Sequence, residues 1–211
     1  MSAPRQLIHK GRPVPYIAAW TPEHVALPRL RVVSGALAMQ GQRRVAGVLW
    51  KPWRAKPGVG EPLFGDVHGP RQRECMLHKR CQVCRRKVVR NELGWPWLLE
   101  DHTGVPGWPE REVTAHPPTC EACQVVSAVQ CTPNRGLFAS VRVREVLTDG
   151  VYGQLYTATG RPMPLGKKVV VFAGDAKLRW MLGGQIAATL VGVTVVDMHT
   201  QAPVSREAVG R

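Results

Sequence analysis

Short apolar runs, broken by Pro and Gly, mark the first third of the chain. Residues 16–20, 30–33 and 45–50 read as short strands joined by loops. Residues 51–61 (KPWRAKPGVGE) hold too much Pro and Gly for an element and are expected to form an exposed loop. Gly69-Pro70 places Pro at a first helical position and predicts a helix over 71–80. Residues 87–99 read as two short strands around Asn91-Glu92-Leu93-Gly94, and a second helix is expected from near Pro118 to about Cys131. In the last third, Val141 and Val143 alternate with Arg142 and Arg144, the pattern of a strand with one wet face. Thr148-Asp149-Gly150 then predicts a hairpin turn into residues 151–157. A strand over 167–172, a helix over 176–182 capped by Asp175, and a buried strand over 189–196 complete the pattern. Gly183-Gly184 is expected to break or bend a helix, and the tail from His199 to fray.

These elements predict an α+β fold: a mostly antiparallel β framework with a central module stabilised by zinc. Three regions are expected. Residues 1–68 form a basic, Pro/Gly-rich β region, residues 69–133 carry all six Cys, and residues 134–211 form a β-rich region that shares a sheet with 1–68. Composition fits a folded chain, with 44% apolar and 21% charged residues. The longest uncharged run, 180–196, falls short of a comfortable membrane span and is interrupted by Gly183, Gly184, Gln185 and Gly192. It is expected to be core, with no membrane partner. The first twelve residues are polar and basic, without the apolar stretch of a secretory signal, so a reducing, cytoplasmic setting is expected.

Charge changes the picture more. The chain carries a formal net charge of +14, and residues 1–90 alone hold 18 basic against 4 acidic side chains. Residues 91–133 are net acidic, and 134–211 moderately basic. An acidic partner is therefore expected, with DNA or RNA first.

The cysteines supply the chemistry. Cys81-Gln-Val-Cys84 and Cys120-Glu-Ala-Cys123 are two CxxC pairs separated by 35 residues. Two residues between thiols let both face one ion, and two pairs close a tetrahedral shell around Zn²⁺ without an open position. That is a structural zinc site. Cys75 and Cys131 have no close partner in sequence and read as small apolar helix residues. His78 and His116 precede a pair by three or four residues and rank as substitute ligands only.

Around the first pair, Arg71, Arg73, Lys79, Arg80, Arg85, Arg86, Lys87 and Arg90 crowd twenty residues holding one acid, Glu74. Some of these cations offset the −2 charge of a tetrathiolate zinc centre. The rest suit a phosphate backbone, with Arg71, Arg73, Arg80, Arg85, Arg86 and Lys87 as the expected contacts. Trp50-Lys51-Pro52-Trp53-Arg54 sets aromatic faces beside cations, a pairing suited to unpaired bases, and equally to two core Trp beside a solvated loop.

A zinc knuckle, a β-hairpin and a helix whose first turn carries the second CxxC resemble the treble-clef fold group. Over about residues 75–131 the spacing is most similar to a degenerate HNH endonuclease module, with Glu100-Asp101-His102 at the end of the second expected strand. The resemblance implies His102 as the general base that activates water and Asp101 as a ligand of Mg²⁺ or another divalent ion. The chain departs from the family's pattern on both sides of the second pair. It reads Thr114-Ala115-His116-Pro117-Pro118-Thr119 where an Asn is usual before the pair, and Gln124-Val125-Val126-Ser127 where Asn or His is usual after it. No P-loop, dinucleotide fingerprint or nucleophile elbow is present. The leading expectation is a non-catalytic zinc protein that contacts nucleic acid. An HNH-like nuclease and a protein–protein scaffold with purely structural zinc are the alternatives.

Overall fold

The computed structural model describes residues 6–26, 29–130, 137–158 and 160–204. In chain order the strands are β1 (Ile8–His9), β2 (Arg12–Pro13), β3 (Ala18–Trp20), β4 (Leu30–Val33), β5 (Ala36–Met39), β6 (Leu49–Trp50) and β7 (Pro62–Val67). Helix α1 (Gly69–His78), β8 (Trp95–Glu100), β9 (Val113–Thr114) and α2 (Glu121–Gln130) follow, then three longer strands, β10 (Phe138–Tyr156), β11 (Pro164–Phe172) and β12 (Met181–Val196). The class is α+β with mostly antiparallel pairing, as expected. The chain divides into two compact units. One draws on Met1–Tyr16, Glu74–Thr148 and Ala188–Arg211, the other on Ile17–Arg73 and Asp149–Ala187.

In the first unit, β8 pairs antiparallel with the beginning of β10, from Phe138↔Glu100 to Val143↔Trp95, and β9 pairs with Ala188 and Thr189 in the middle of β12. Helix α2 is tied to these strands by the buried side chain of Gln124. Gln124 is fully buried; its amide nitrogen donates to the carbonyls of Trp97 and Thr119, and its amide oxygen accepts from Ser140 Oγ at 2.7 Å. Arg142 does not face solvent as the alternation suggested. It is 1% exposed, ion-paired to Glu121 of α2 and hydrogen-bonded to Gln201, so β10 is covered on both faces here. The first of the two strands expected over 87–99 is replaced by a single bridge, Arg80↔Lys87, and a turn closed by Asn91↔Gly94. The antiparallel partner of β8 is therefore β10, and the hairpin of a treble clef is not formed among the described residues.

In the second unit, β3 pairs with β7, β4 with β5, and the end of β10 with β11. The start of β12 runs parallel to β6. Two apolar clusters fill this unit: Leu37, Met39, Leu49 and Leu182, and Val48, Val151, Val171 and Met181. The turn expected at Asp149-Gly150 is absent, because β10 continues through it. Gly150 serves close packing instead, since an added Cβ would lie 2.9 Å from Val170 Cγ1 and 3.1 Å from Ala187 Cβ. Gly183 likewise breaks no helix. It sits within β12, where the Trp50 ring and Val48 pack against its backbone. Asp175 caps its element as expected, accepting from Lys177 N at 2.8 Å, but the element is a short 3₁₀ turn, Ala176–Trp180. Cys131 lies outside the described residues, as does the end of the chain beyond residue 204.

A buried charge hub organises the second unit. Glu23 is fully buried, and its carboxylate accepts both Arg71 Nη1 and Nη2, at 2.8 and 2.6 Å, together with the amides of Trp20 and Lys56. Burial alone would raise its pKa, but the hydrogen bonds from Arg71 and from the Trp20 amide outweigh this and hold it below the usual carboxylate value. Burial also lowers the pKa of His68, 3.8 Å from Glu23, and favours its neutral ring.

Candidate metal centre

The first CxxC sits in a tight turn just after α1. Cys81 N donates to Arg86 O and Arg85 N donates to Cys81 O, both at 2.8 Å, which folds the backbone around the two thiols. Closing that turn puts Arg85 in the left-handed region, at φ 63°. The second pair approaches along Pro117-Pro118-Thr119. Gln82 holds this approach to the first turn, its amide N–H donating to Pro118 O at 3.0 Å and its Nε2 to Thr119 Oγ1 at 2.9 Å. Cys120 precedes α2, and its carbonyl accepts the amides of Cys123 and Gln124 as the helix begins. Both thiols of this pair thus lie at a helix N-terminus, where the dipole favours thiolate.

The four sulfurs of Cys81, Cys84, Cys120 and Cys123 all lie within 4.8 Å of one another. Cys84 Sγ and Cys120 Sγ are 3.8 Å apart, far beyond a disulfide bond. A tetrahedron with metal–sulfur bonds of about 2.3 Å has edges of about 3.8 Å, so this spacing suits a tetrathiolate zinc shell. Cys120 N also points at Cys81 Sγ, at 3.4 Å, a hydrogen bond of the kind that stabilises negative charge on sulfur. Hydrogen bonds within the cluster pull Cys84 down and lower Cys120 to about 7, while Cys81 and Cys123 are pushed up. Among the described residues, the apolar cluster around the sulfurs joins Val83 and Val88 to Cys81, with Cys84, Cys120 and Cys123 packed against it.

Cys75 is buried next to the centre but stands outside it. Its thiol lies 3.8 Å from Cys81 O, and burial pushes it up to about 12. His78 and His116 are exposed and are not among the clustered ligands; what His116 supplies is its carbonyl, which accepts Trp97 Nε1. Asp101 and His102 belong to no group of three or more possible metal ligands among the described residues. Asp101 closes a turn, accepting Thr103 N at 2.8 Å and Thr103 Oγ1 at 2.5 Å. His102 is exposed, edge-on to the Trp108 ring, with its Nε2 4.0 Å from Glu100.

The cations named from sequence fall into three settings. Arg71 is buried in the second unit with Glu23, and its Nη2 also reaches Ala18 O, so its guanidinium faces protein and not solvent. Arg73, in the same unit, lies half-buried over the Trp50 ring at 4.3 Å. In the cysteine unit, Arg80 and Arg85 share Glu74, at 3.6 and 3.0 Å. Glu74 also accepts the Tyr16 hydroxyl at 2.7 Å, and the Arg85 guanidinium lies over the Tyr16 ring. Burial would raise the Glu74 carboxyl, but hydrogen bonds from Tyr16 and Arg85 hold it low. Arg86 and Lys87, in the turn that carries the first two thiols, are exposed, as is Arg90 over the Trp95 ring.

No protein-family model, curated protein or solved structure matches the chain. Among the described residues, no helix is long and apolar enough to cross a membrane.

Proposed function

We propose that the chain is a zinc protein in which Cys81, Cys84, Cys120 and Cys123 hold one Zn²⁺ in a closed, structural shell. The observation that carries this reading is the convergence of four thiol sulfurs within 4.8 Å on two turns of different sequence origin. Four protein ligands leave no position for water or substrate, so the metal's role is to hold the fold and not to catalyse. The thin apolar packing around the sulfurs fits that role, because the coordination bonds replace packing that a larger core would supply. A knuckle followed by a helix with ligands in its first turn supports a degenerate treble clef, with β10 supplying the strand partner that a hairpin would normally provide.

Beyond the metal, the reading is contact with a nucleic-acid backbone through the cations displayed beside the centre. Arg86, Lys87 and Arg90 carry this part, since they are exposed in or beside the knuckle and the chain's charge excess lies in its first 90 residues. The test is binding of the zinc-loaded chain to duplex and single-stranded DNA and RNA across a salt series. Affinity that falls steeply with salt, and falls further when Arg86 and Lys87 are reversed to Glu, supports contact. Salt-independent binding, or no retardation at low salt, overturns it and favours an acidic protein partner.

A further inference from the structure

The second unit contains a half-open cavity of about 380 Å³ whose lining is unlike the apolar clusters of the same unit. Alternate residues of β10 share one face of the strand, and here that face carries Tyr152, Gln154 and Tyr156, all of which line the cavity. Lys51 and Lys168 line it as well. The register between β10 and β11 breaks between Gly153 and Leu155, so residues 166–168 form an irregular stretch opposite Gln154. Gln154 Nε2 donates to Leu165 O at 3.0 Å and holds that stretch in place. Bulges of this kind re-aim side chains at functional sites.

The charges are the informative feature. Lys51 lies with its ammonium 4.3 Å over the Trp53 ring; burial disfavours its charged form, the Asp66 carboxylate favours it, and the Lys168 ammonium opposes it to a smaller extent. Lys51 and Lys168 outnumber the acids of the lining, which leaves the cavity with a net positive character. The single acid in the lining, Asp66, is already shared with His24, whose Nε2 is 3.1 Å away. Two tyrosines of the same strand, Tyr152 and Tyr156, add aromatic surface to the lining, Tyr156 being backed by the Leu182 cluster. A cationic pair for a phosphate beside aromatic faces for a base is the chemistry that recognises a nucleotide unit.

We propose that this cavity binds one phosphorylated nucleoside, with the phosphate between Lys51 and Lys168 and the base against Tyr152 and Tyr156. The site uses residues of the second unit only and does not rest on the zinc-knuckle reading. The ligand has two sources, a free nucleotide or one unit of a single strand, and the probes separate them.

The experiment is calorimetric titration of the zinc-loaded full chain with adenosine, inorganic phosphate, adenosine monophosphate and a short oligoadenylate. The nucleotide is expected to bind about tenfold or more tightly than either fragment, and Lys168→Gln to weaken it about tenfold, the cost of one charge-assisted hydrogen bond. Lys168 is exposed on β11, so the variant folds, and Tyr152→Ala serves as a second variant that removes stacking surface but no charge. Tighter binding of the oligoadenylate than of the mononucleotide, abolished in Lys168→Gln, assigns the source to a strand; equal or weaker binding assigns it to a free nucleotide. Absence of binding by both phosphorylated probes, or binding unaltered by both cavity variants, overturns the proposal.

Discussion

The surroundings of the four thiols and the core of the second unit are held together by different means, although the cysteine unit elsewhere buries Trp97, Val141 and Leu190. Around Cys81 the cysteine unit has a core of small side chains, Val83 and Val88, with Cys84, Cys120 and Cys123 at its edge. The other unit packs Leu37, Met39, Leu49 and Leu182 in one cluster and Val48, Val151, Val171 and Met181 in another, and adds the buried Glu23–Arg71 pair. Burial of apolar area is non-directional and grows with side-chain size, so the second unit can rely on it. Four thiols cannot. Their contribution depends on a fixed geometry around an ion, and without the ion they leave a crowded, weakly packed centre.

The largest effect should come from removing the metal. Structural zinc contributes about 10 kcal/mol or more of apparent binding free energy in small zinc modules. Chelation, or Cys120→Ser, is expected to abolish amide protection around residues 81–88 and 120–124 while residues 37–49 remain protected. Hydrogen exchange read by mass spectrometry checks this, and simultaneous loss of protection in both places would break the comparison.

Next comes the buried charge pair. Glu23→Ala leaves the Arg71 guanidinium buried without its carboxylate and should destabilise the second unit by about 3–5 kcal/mol, measured by urea unfolding, with zinc content unchanged. The same pair gives a pH dependence. The Glu23 carboxyl is held below its ordinary value in the folded chain, so its stabilisation is present above the unfolded-state value and fades as pH falls below it. Glu74, also held low, acts in the same direction in the cysteine unit. Unfolding midpoints should therefore fall with acidification, and a stability that rises toward low pH would contradict both assignments.

A smaller effect is expected from a plain cavity. Leu49→Ala, at a side chain 1% exposed, should cost about 2–4 kcal/mol and leave the metal in place. Charge reversal at Arg86 and Lys87 should barely alter stability, since both are exposed. It should instead make nucleic-acid binding less sensitive to salt, lowering the slope of log affinity against log salt by about one for each phosphate that is no longer neutralised.

The metal centre was the part most open to reading from sequence, because the geometry of a CxxC turn is local. Two residues between Cys81 and Cys84 let both thiols face one point whatever lies beyond, and the meeting of the two pairs required the fold. Helix α1 was equally local, set by Gly69-Pro70. Features decided by distant neighbours were not legible. Asp149-Gly150 has the composition of a turn, but Gly150 is there because Val170 and Ala187 crowd its backbone. Arg142 alternates with valines as a solvent-facing residue would, yet Glu121 and Gln201 cover it from segments far away in sequence. Arg71 looked like one of eight surface cations, and its partner Glu23 lies 48 residues away in an unremarkable Thr-Pro-Glu stretch. Lys168 gave no signal as a strand lysine, since only the register break in β10 and β11 brings it into a cavity with Lys51.

The most direct test of the account is the metal content of the purified chain, measured by elemental mass spectrometry alongside the Cys120→Ser variant. One zinc per chain, absent or sharply reduced in the variant, is the predicted result. A chain that folds without metal, or one that keeps its full zinc when Cys120 is replaced, would contradict the claim that these four thiols form the structural centre.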